Sequence, residues 1–296
     1  MEPGEKIRRN TQNRSYQTGI VLNIAFVIVE FIFGGIADSM ALITDAVHNM
    51  TDVLSLIISL VAFYLLKKKP TELHTYGFYN TTIMSSLINS IILFISLGAV
   101  IWESLIRLTT QAQQGAPVGW LVSVVAFSGV IVNGLTAFLM NGSHELNARG
   151  NFWHFFGDTL ISVAVFAAGL IISVTGWKWL DPVVSIAAAV FILIESWSVL
   201  SESFEMSTNA VPRRLKSREV EKYLLGINQV KAINDLHIWP LSTTETALSA
   251  HLEIDKSADY FKTLDIITEG LKQKFQIGHV TVQLETCDKK HCEADI

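Results

Sequence analysis

The sequence predicts a mainly α-helical membrane protein, in which a bundle of six transmembrane helices precedes a small soluble α+β domain. The 296-residue chain is 50% hydrophobic and only 17% charged, whereas soluble domains carry about 25% charged residues. The deficit is local, because residues 1–210 hold 24 charged side chains and residues 211–296 hold 25. The first region therefore suits a lipid bilayer, and the second suits water.

Six segments are apolar and long enough to cross a bilayer, which takes about 20 helical residues. They are predicted at 16–37, 41–66, 78–106, 117–140, 152–175 and 181–203. Lys and Arg are concentrated before the first span and after the second, fourth and sixth spans. By the positive-inside rule, both termini lie in the cytoplasm. The expected regions are a cytoplasmic segment 1–15, a membrane domain 16–210 and a cytoplasmic domain 211–296.

The cytoplasmic domain is predicted to have the element order α-β-β-α-β, which is typical of a two-layer α+β fold. Ser217 is expected to cap a helix that reaches Leu224. Strands are expected at 231–239 and 246–254, and apolar residues at helical spacing predict a helix over 257–275. Residues 279–285 alternate strictly between polar and apolar side chains, which predicts a strand.

Ionisable residues are costly inside membrane spans, so their positions are informative. The second span contains His48 and Asp52, and the fifth contains His154 and Asp158. Each pair has the spacing His-x-x-x-Asp, which stacks both side chains on one helix face. If the two faces meet, two imidazoles and two carboxylates surround one point and suit a tetrahedral ion such as Zn²⁺. The alternative is that each pair only forms hydrogen bonds within the bundle, but its repetition in two spans favours the metal site.

Two further acids lie in the apolar region. Asp45 is three residues before His48 and is either a proton relay or transient ligand, or a carboxylate near the outer water interface. Glu30 lies deep in the first span and is either a proton-pathway residue or a partner within the bundle. The residues alone leave both pairs of alternatives open.

The motifs Asp45-Ala46-x-His48-x-x-x-Asp52 and His154-x-x-Gly157-Asp158 resemble the signature helices of the cation diffusion facilitator family of zinc transporters. Supporting similarities extend along nearly the whole chain: Asn23, Glu30, Gly34, Tyr76-Gly77, Asn133, His144-x-Leu146-Asn147-x-Arg149, Asp181-Pro182 and Pro212. The loop before the fifth span lacks the His-rich insertion of many eukaryotic members, so the chain resembles the bacterial type.

The resemblance implies a six-helix membrane domain, a metallochaperone-like cytoplasmic domain, a homodimer, and exchange of metal for protons. It also implies that His48, Asp52, His154 and Asp158 are the transport ligands. The chemistry agrees, because metal binds neutral imidazole and ionised carboxylate and so releases protons. The expected function is therefore export of divalent cations, most of all Zn²⁺, across the cell (plasma or inner) membrane, with cadmium, cobalt or other divalent ions as alternatives.

The cytoplasmic domain offers candidate ligands for regulatory zinc. They lie on predicted strands and resemble the family's soluble-domain motifs: His237, His251, His279 and Glu285. The alternative is a solvated polar sheet face. Two weaker accessory sites are His74 with Glu72 after the second span, and Cys287 with Cys292, for which a solvated tail is the simpler interpretation.

Other classes of protein fit less well. A net charge of −5 argues against nucleic-acid binding, and two late cysteines exclude a disulfide framework. An intramembrane zinc enzyme would keep a coordination position open for water, whereas four protein ligands close the shell. A membrane metal sensor is the third alternative. We therefore predict a transporter rather than an enzyme, with protons, metal ions, the bilayer and a second copy as partners and no organic cofactor.

Overall fold

The computed structural model describes residues 24–66, 68–110, 117–140 and 146–286. Within the helices, no side chain is described at 52, 55–56, 59–60, 63, 136–140 and 146–156. The described residues divide into two compact units. The first contains residues 24–57 and 89–197, and the second contains 58–88 and 198–286.

The described residues before the cytoplasmic domain form six helices. They are α1 (Ile24–Ile36), α2 (Met40–Leu66), α3 (Thr81–Thr109), α4 (Gly119–Met140), α5 (Leu146–Thr175) and α6 (Leu180–Ser207). Their ends lie within a few residues of the predicted spans, except that α1 is described only from residue 24 and α5 begins six residues earlier. A three-residue turn over 37–39, in which Asp38 has φ of 52°, separates α1 from α2.

Three of the described helical segments are long and apolar enough to cross a membrane: Thr81–Thr109, Gly157–Thr175 and Leu180–Ser207. Two more, Ile24–Ile36 and Gly119–Leu135, are apolar but shorter in their described parts. The protein is thus mostly helical, with several strongly apolar helices. That the chain crosses the membrane six times stays a prediction.

Helices α4 and α5 pack with their backbones in contact. A Cβ atom on Gly169 would lie 2.8 Å from the backbone nitrogen of Ser123, and one on Gly119 would lie 2.5 Å from that of Ser173. Small residues of this kind let membrane helices approach closely. This contact fixes α5 against α4 and thereby the position of Asp158.

The cytoplasmic domain has the predicted order α7 (Ser217–Leu225), β1 (Val230–Pro240), β2 (Thr246–Ile254), α8 (Tyr260–Phe275) and β3 (His279–Glu285). The sheet order is β1-β2-β3, in which β1 is antiparallel and β3 is parallel to β2. The helices and the sheet share an apolar core. The return of β3 beside β2 pairs His251 with Gln283, and Glu253 with Glu285.

Two predicted helix starts in this domain are wrong. Ser217 is the first helical residue of α7 and not its cap, because Lys216 occupies the cap position without a side-chain hydrogen bond. Helix α8 begins at Tyr260, three residues later than predicted, because Asp259 is its N-cap and accepts from the backbone N–H of Lys262. The preceding turn is fixed by Asp255, whose pKa is lowered to about 2 chiefly by the backbone N–H of Ser257.

Candidate metal site between helices α2 and α5

The structure brings His48 of α2 and Asp158 of α5 into direct contact. Nε2 of His48 lies 3.0 Å from Oδ1 of Asp158, and both side chains are almost fully buried. Two ligand atoms of a tetrahedral zinc ion, each at about 2.0–2.1 Å, are about 3.3 Å apart. The observed separation is close to that value. One nitrogen and one oxygen donor from different helices therefore already have nearly the spacing that zinc requires.

A second hydrogen bond shows that α2 and α5 run antiparallel at this point. The hydroxyl of Ser162 donates to Oδ2 of Asp45 at 3.1 Å, so later residues of α2 face earlier residues of α5. Continuing this register by one turn sets the helical positions of Asp52 and His154 opposite each other. The side chains of Asp52 and His154 lie outside the described part of the structure. Among the described side chains, no three His, Cys, Asp or Glu residues are grouped to hold a metal.

Glu30 and Asp45 lie beside this site and are both fully buried. The amide nitrogen of Asn49 donates to Oε2 of Glu30 at 2.9 Å and to Oδ1 of Asp45 at 3.5 Å. The Asp45 carboxylate is thus enclosed by the helices around it. Asn49 and Ser162, which tie these acids to α2 and α5, were not singled out from the sequence. The available signal in the sequence was a polar residue within a predicted apolar span.

Asp181 of α6 caps the N-terminus of α2. Its Oδ2 accepts from the backbone N–H of Met40 at 2.6 Å, and its Oδ1 accepts from the hydroxyl of Ser39 and from the N–H of Ala41. The first N–H groups of a helix have no partner within the helix, and a negative charge there is favourable. Asp181 thus holds the end of α2 about two turns before His48.

Asn133 of α4 is a further residue that sequence reasoning did not assign to the site. It is 1% exposed, and neither polar atom of its amide has a hydrogen-bond partner among the described residues. Gly129 of α4 packs against Ser162 of α5. Because the helices are antiparallel, one turn along from this contact brings Asn133 to the level of Asp158.

The predicted regulatory residues of the cytoplasmic domain fall into three separate places. Nδ1 of His251 lies 3.8 Å from Oε1 of Glu285 across β2 and β3. His237 instead contacts Asp235, because a β-bulge, with Asp235 at φ of 54°, interrupts the alternation of β1. The ring of His279 packs edge-on against Tyr76, with ring centroids 5.4 Å apart. The structure therefore gathers two of the four predicted ligands.

The accessory candidates lie in an exposed loop or outside the described residues. His74 is exposed and stacks on Phe78, with ring centroids 4.7 Å apart, and Glu72 is exposed in the same loop. Cys287 and Cys292 lie outside the described residues.

Comparison with known families identifies both regions of the chain. Residues 17–206 match the cation efflux transmembrane domain, and residues 212–287 match the cytoplasmic domain of cation efflux proteins. The chain belongs to the cation efflux, or cation diffusion facilitator, family. The resemblance of its motifs is thereby confirmed, and so are a multi-pass membrane protein and a C-terminal cytoplasmic domain.

Three curated relatives align with most of this chain. The metal cation efflux system protein CzcD of Cupriavidus metallidurans is 31% identical over 95% of this chain and 89% of its own length. The zinc transporter ZitB of Pectobacterium atrosepticum is 31% identical over 92% of this chain and 86% of its own length. The cadmium, cobalt and zinc/H⁺-K⁺ antiporter of Bacillus subtilis is 30% identical over 93% of this chain and 89% of its own length. All three are transport proteins, which confirms the prediction of a transporter rather than an enzyme.

Proposed function

We propose that this protein exports Zn²⁺ from the cytoplasm in exchange for protons, through a tetrahedral site of His48, Asp52, His154 and Asp158. The single observation that carries this proposal is the buried contact between His48 and Asp158. It joins the two helices that bear the repeated His-x-x-x-Asp pattern. The antiparallel register then accounts for the other two ligands as the next turn of the same helix pair.

The donor atoms support zinc over other classes of ion. Two imidazole nitrogens and two carboxylate oxygens suit Zn²⁺, whereas Mg²⁺ and Ca²⁺ prefer oxygen ligands and Cu(I) prefers sulfur. The relatives' names agree, since one is a zinc transporter and another also carries cadmium and cobalt. Cadmium and cobalt are therefore secondary substrates in this proposal.

Proton exchange follows from the same ligands. Metal binding requires His48 and His154 as neutral imidazoles and the carboxylates as anions, so a loading metal displaces protons. A site that opens alternately to the two sides of the membrane then carries metal one way and protons the other. With both termini in the cytoplasm of a cell-membrane protein, an inward proton gradient drives metal outward.

The cytoplasmic domain carries the proposed regulation and assembly. His251 and Glu285 are the closest pair of candidate ligands and form the core of a regulatory zinc site. The family's cytoplasmic domain supports a homodimer. Zinc at this site favours a dimer state only by binding that state more tightly.

Zinc uptake into everted membrane vesicles energised with a proton gradient tests the proposal. We expect uptake by the wild-type protein and its loss in His48→Ala and Asp158→Ala at equal protein levels. Glu195→Gln serves as a control, because it changes an exposed acid of α6 that is not assigned to the site. Normal zinc uptake by both alanine variants would refute the assignment, and an absence of flux in the wild type would favour a sensor.

A further inference from the structure

Glu30 of α1 and Asp45 of α2 form a buried pair of acids next to the candidate metal ligands. Both side chains are fully buried, and they share one hydrogen-bond donor. Asn49 donates to one oxygen of each acid, and Ser162 donates to Asp45. The second oxygen of Glu30, Oε1, has no hydrogen-bond donor among the described residues.

Within the described part of the chain, no lysine or arginine forms an ion pair with either acid. Among the described side chains, the titratable groups that face the pair are His48 on α2 and Asp158 on α5. Two ionised carboxylates can only accept hydrogen bonds, and like charges in one apolar site disfavour double ionisation. A proton between the two groups turns one carboxylate oxygen from an acceptor into a donor. Oε1 of Glu30 can then take part in a hydrogen bond.

We propose that Glu30 and Asp45 form a proton-binding site, separate from the metal ligands, that holds one proton between its two carboxyl groups. This inference rests on the proposed function and names residues that carry some of the protons exchanged for zinc. It differs from a site in which only the metal ligands themselves exchange protons.

The position of the pair couples its proton to the metal. Asp45 is one helical turn from His48, so a divalent cation on His48 and Asp158 acts on the pair at short range in a water-poor environment. The cation favours the doubly ionised pair, and the shared proton leaves to the aqueous side on which the site is open. By reciprocity, a proton on the pair weakens metal binding. Loading therefore exchanges one Zn²⁺ for a proton here, in addition to any released by the ligands.

Proton release on zinc binding is the direct measurement. Zinc is added to the purified full-length protein in weakly buffered solution with a pH-sensitive dye, and protons released per zinc bound are counted. Glu30→Gln keeps the side-chain volume and an oxygen that accepts from Asn49, but it cannot bind a proton. We expect this variant to release about one proton fewer per zinc than the wild type. Glu195→Gln is the matched control and should release the wild-type number.

Transport in proteoliposomes separates proton coupling from metal binding. Glu30→Gln should retain exchange of zinc for zinc at equal pH on both sides, while acceleration of net zinc flux by a pH gradient falls at least several-fold. A merely structural role for Glu30 would reduce both activities together. Wild-type proton release with wild-type acceleration in Glu30→Gln would overturn the inference.

Two further variants keep the test decisive. If Glu30→Gln does not fold, Asp45→Asn should give the same loss of one proton, and the double variant should lose no more than either single one. Failure of the proposed function looks different, because His48→Ala would then retain zinc exchange. If His48→Ala abolishes exchange while both acid variants match the wild type, only the proton site is refuted.

Discussion

At the scale of single residues, Asn133 combines full burial with an amide that lacks partners among the described residues. A buried polar group without a hydrogen bond costs about 1–3 kcal/mol. Such a cost is tolerated in natural proteins mainly where it serves function. Because Asn133 lies at the level of Asp158 on α5, we predict that its amide supports the proposed metal site.

Replacing Asn133 with leucine should therefore separate stability from function. We expect Asn133→Leu to raise the thermal unfolding temperature of the detergent-purified protein, because the uncompensated amide is removed. Zinc transport should fall several-fold in the same variant. If Asn133→Leu lowers the unfolding temperature, as loss of a hydrogen-bonded core side chain does, the amide has another role. Unchanged zinc transport would show the same.

The carboxylate of Asp181 gives a second prediction at this scale. Asp181→Ala removes acceptors from two backbone N–H groups at the start of α2, and losses of helix caps cost about 0.5–2 kcal/mol. Asp181→Asn keeps an oxygen acceptor and should lose clearly less. The measurement is the unfolding midpoint together with zinc affinity. Equal behaviour of the two variants would mean that the cap does not hold α2.

At the scale of elements, the contact between α4 and α5 positions Asp158. A Cβ atom on Gly169 would lie 2.8 Å from the backbone nitrogen of Ser123 and 2.9 Å from the carbonyl oxygen of Gly119. Because both neighbours are backbone atoms, the helices must separate to accept even one methyl group.

Gly169→Ala should therefore destabilise the protein by about 1–3 kcal/mol, as overpacking does, and should also lower zinc transport. Gly98→Ala on α3 is the matched control, because nothing lies within 4 Å of its Cβ position. Alanine there should leave stability equal or slightly higher, since it is the better helix former. Thermal unfolding of both variants checks this contrast, and equal losses would contradict it.

Element boundaries show which parts of the fold the sequence predicts and why. Strand β3 was predicted at its observed bounds, because strict alternation over 279–285 depends only on local sequence. The bulge at Asp235 was not predicted, since it depends on how β1 pairs with β2. The His48 to Asp158 contact follows from a repeated motif, whereas the Asp181 cap joins residues 141 positions apart with no matching pattern.

At the scale of the whole molecule, a membrane region with the proposed transport site precedes a cytoplasmic domain with the proposed regulatory ligands. The proposed homodimer predicts a protein mass of twice the 32.8 kDa chain by light scattering in detergent, after subtraction of the detergent. A mass of one chain at micromolar concentration would contradict the assembly.

The cytoplasmic zinc site also makes a prediction about stoichiometry. His251→Ala should remove one bound zinc per chain in equilibrium dialysis while leaving zinc transport measurable, because the site regulates and does not carry. His279→Ala is the control and should keep the wild-type stoichiometry, since its ring contacts Tyr76 and not the His251–Glu285 pair. An unchanged stoichiometry in His251→Ala would refute the regulatory site.

The central claim is that His48, Asp52, His154 and Asp158 hold one metal ion between α2 and α5. Visible absorption of the Co²⁺-loaded protein tests it most directly, since tetrahedral cobalt absorbs far more strongly than octahedral cobalt. In a His251→Ala background, which removes the cytoplasmic site, we predict a strong tetrahedral band that is lost in each of the four alanine variants. A band that persists in Asp52→Ala or His154→Ala would contradict the four-ligand site.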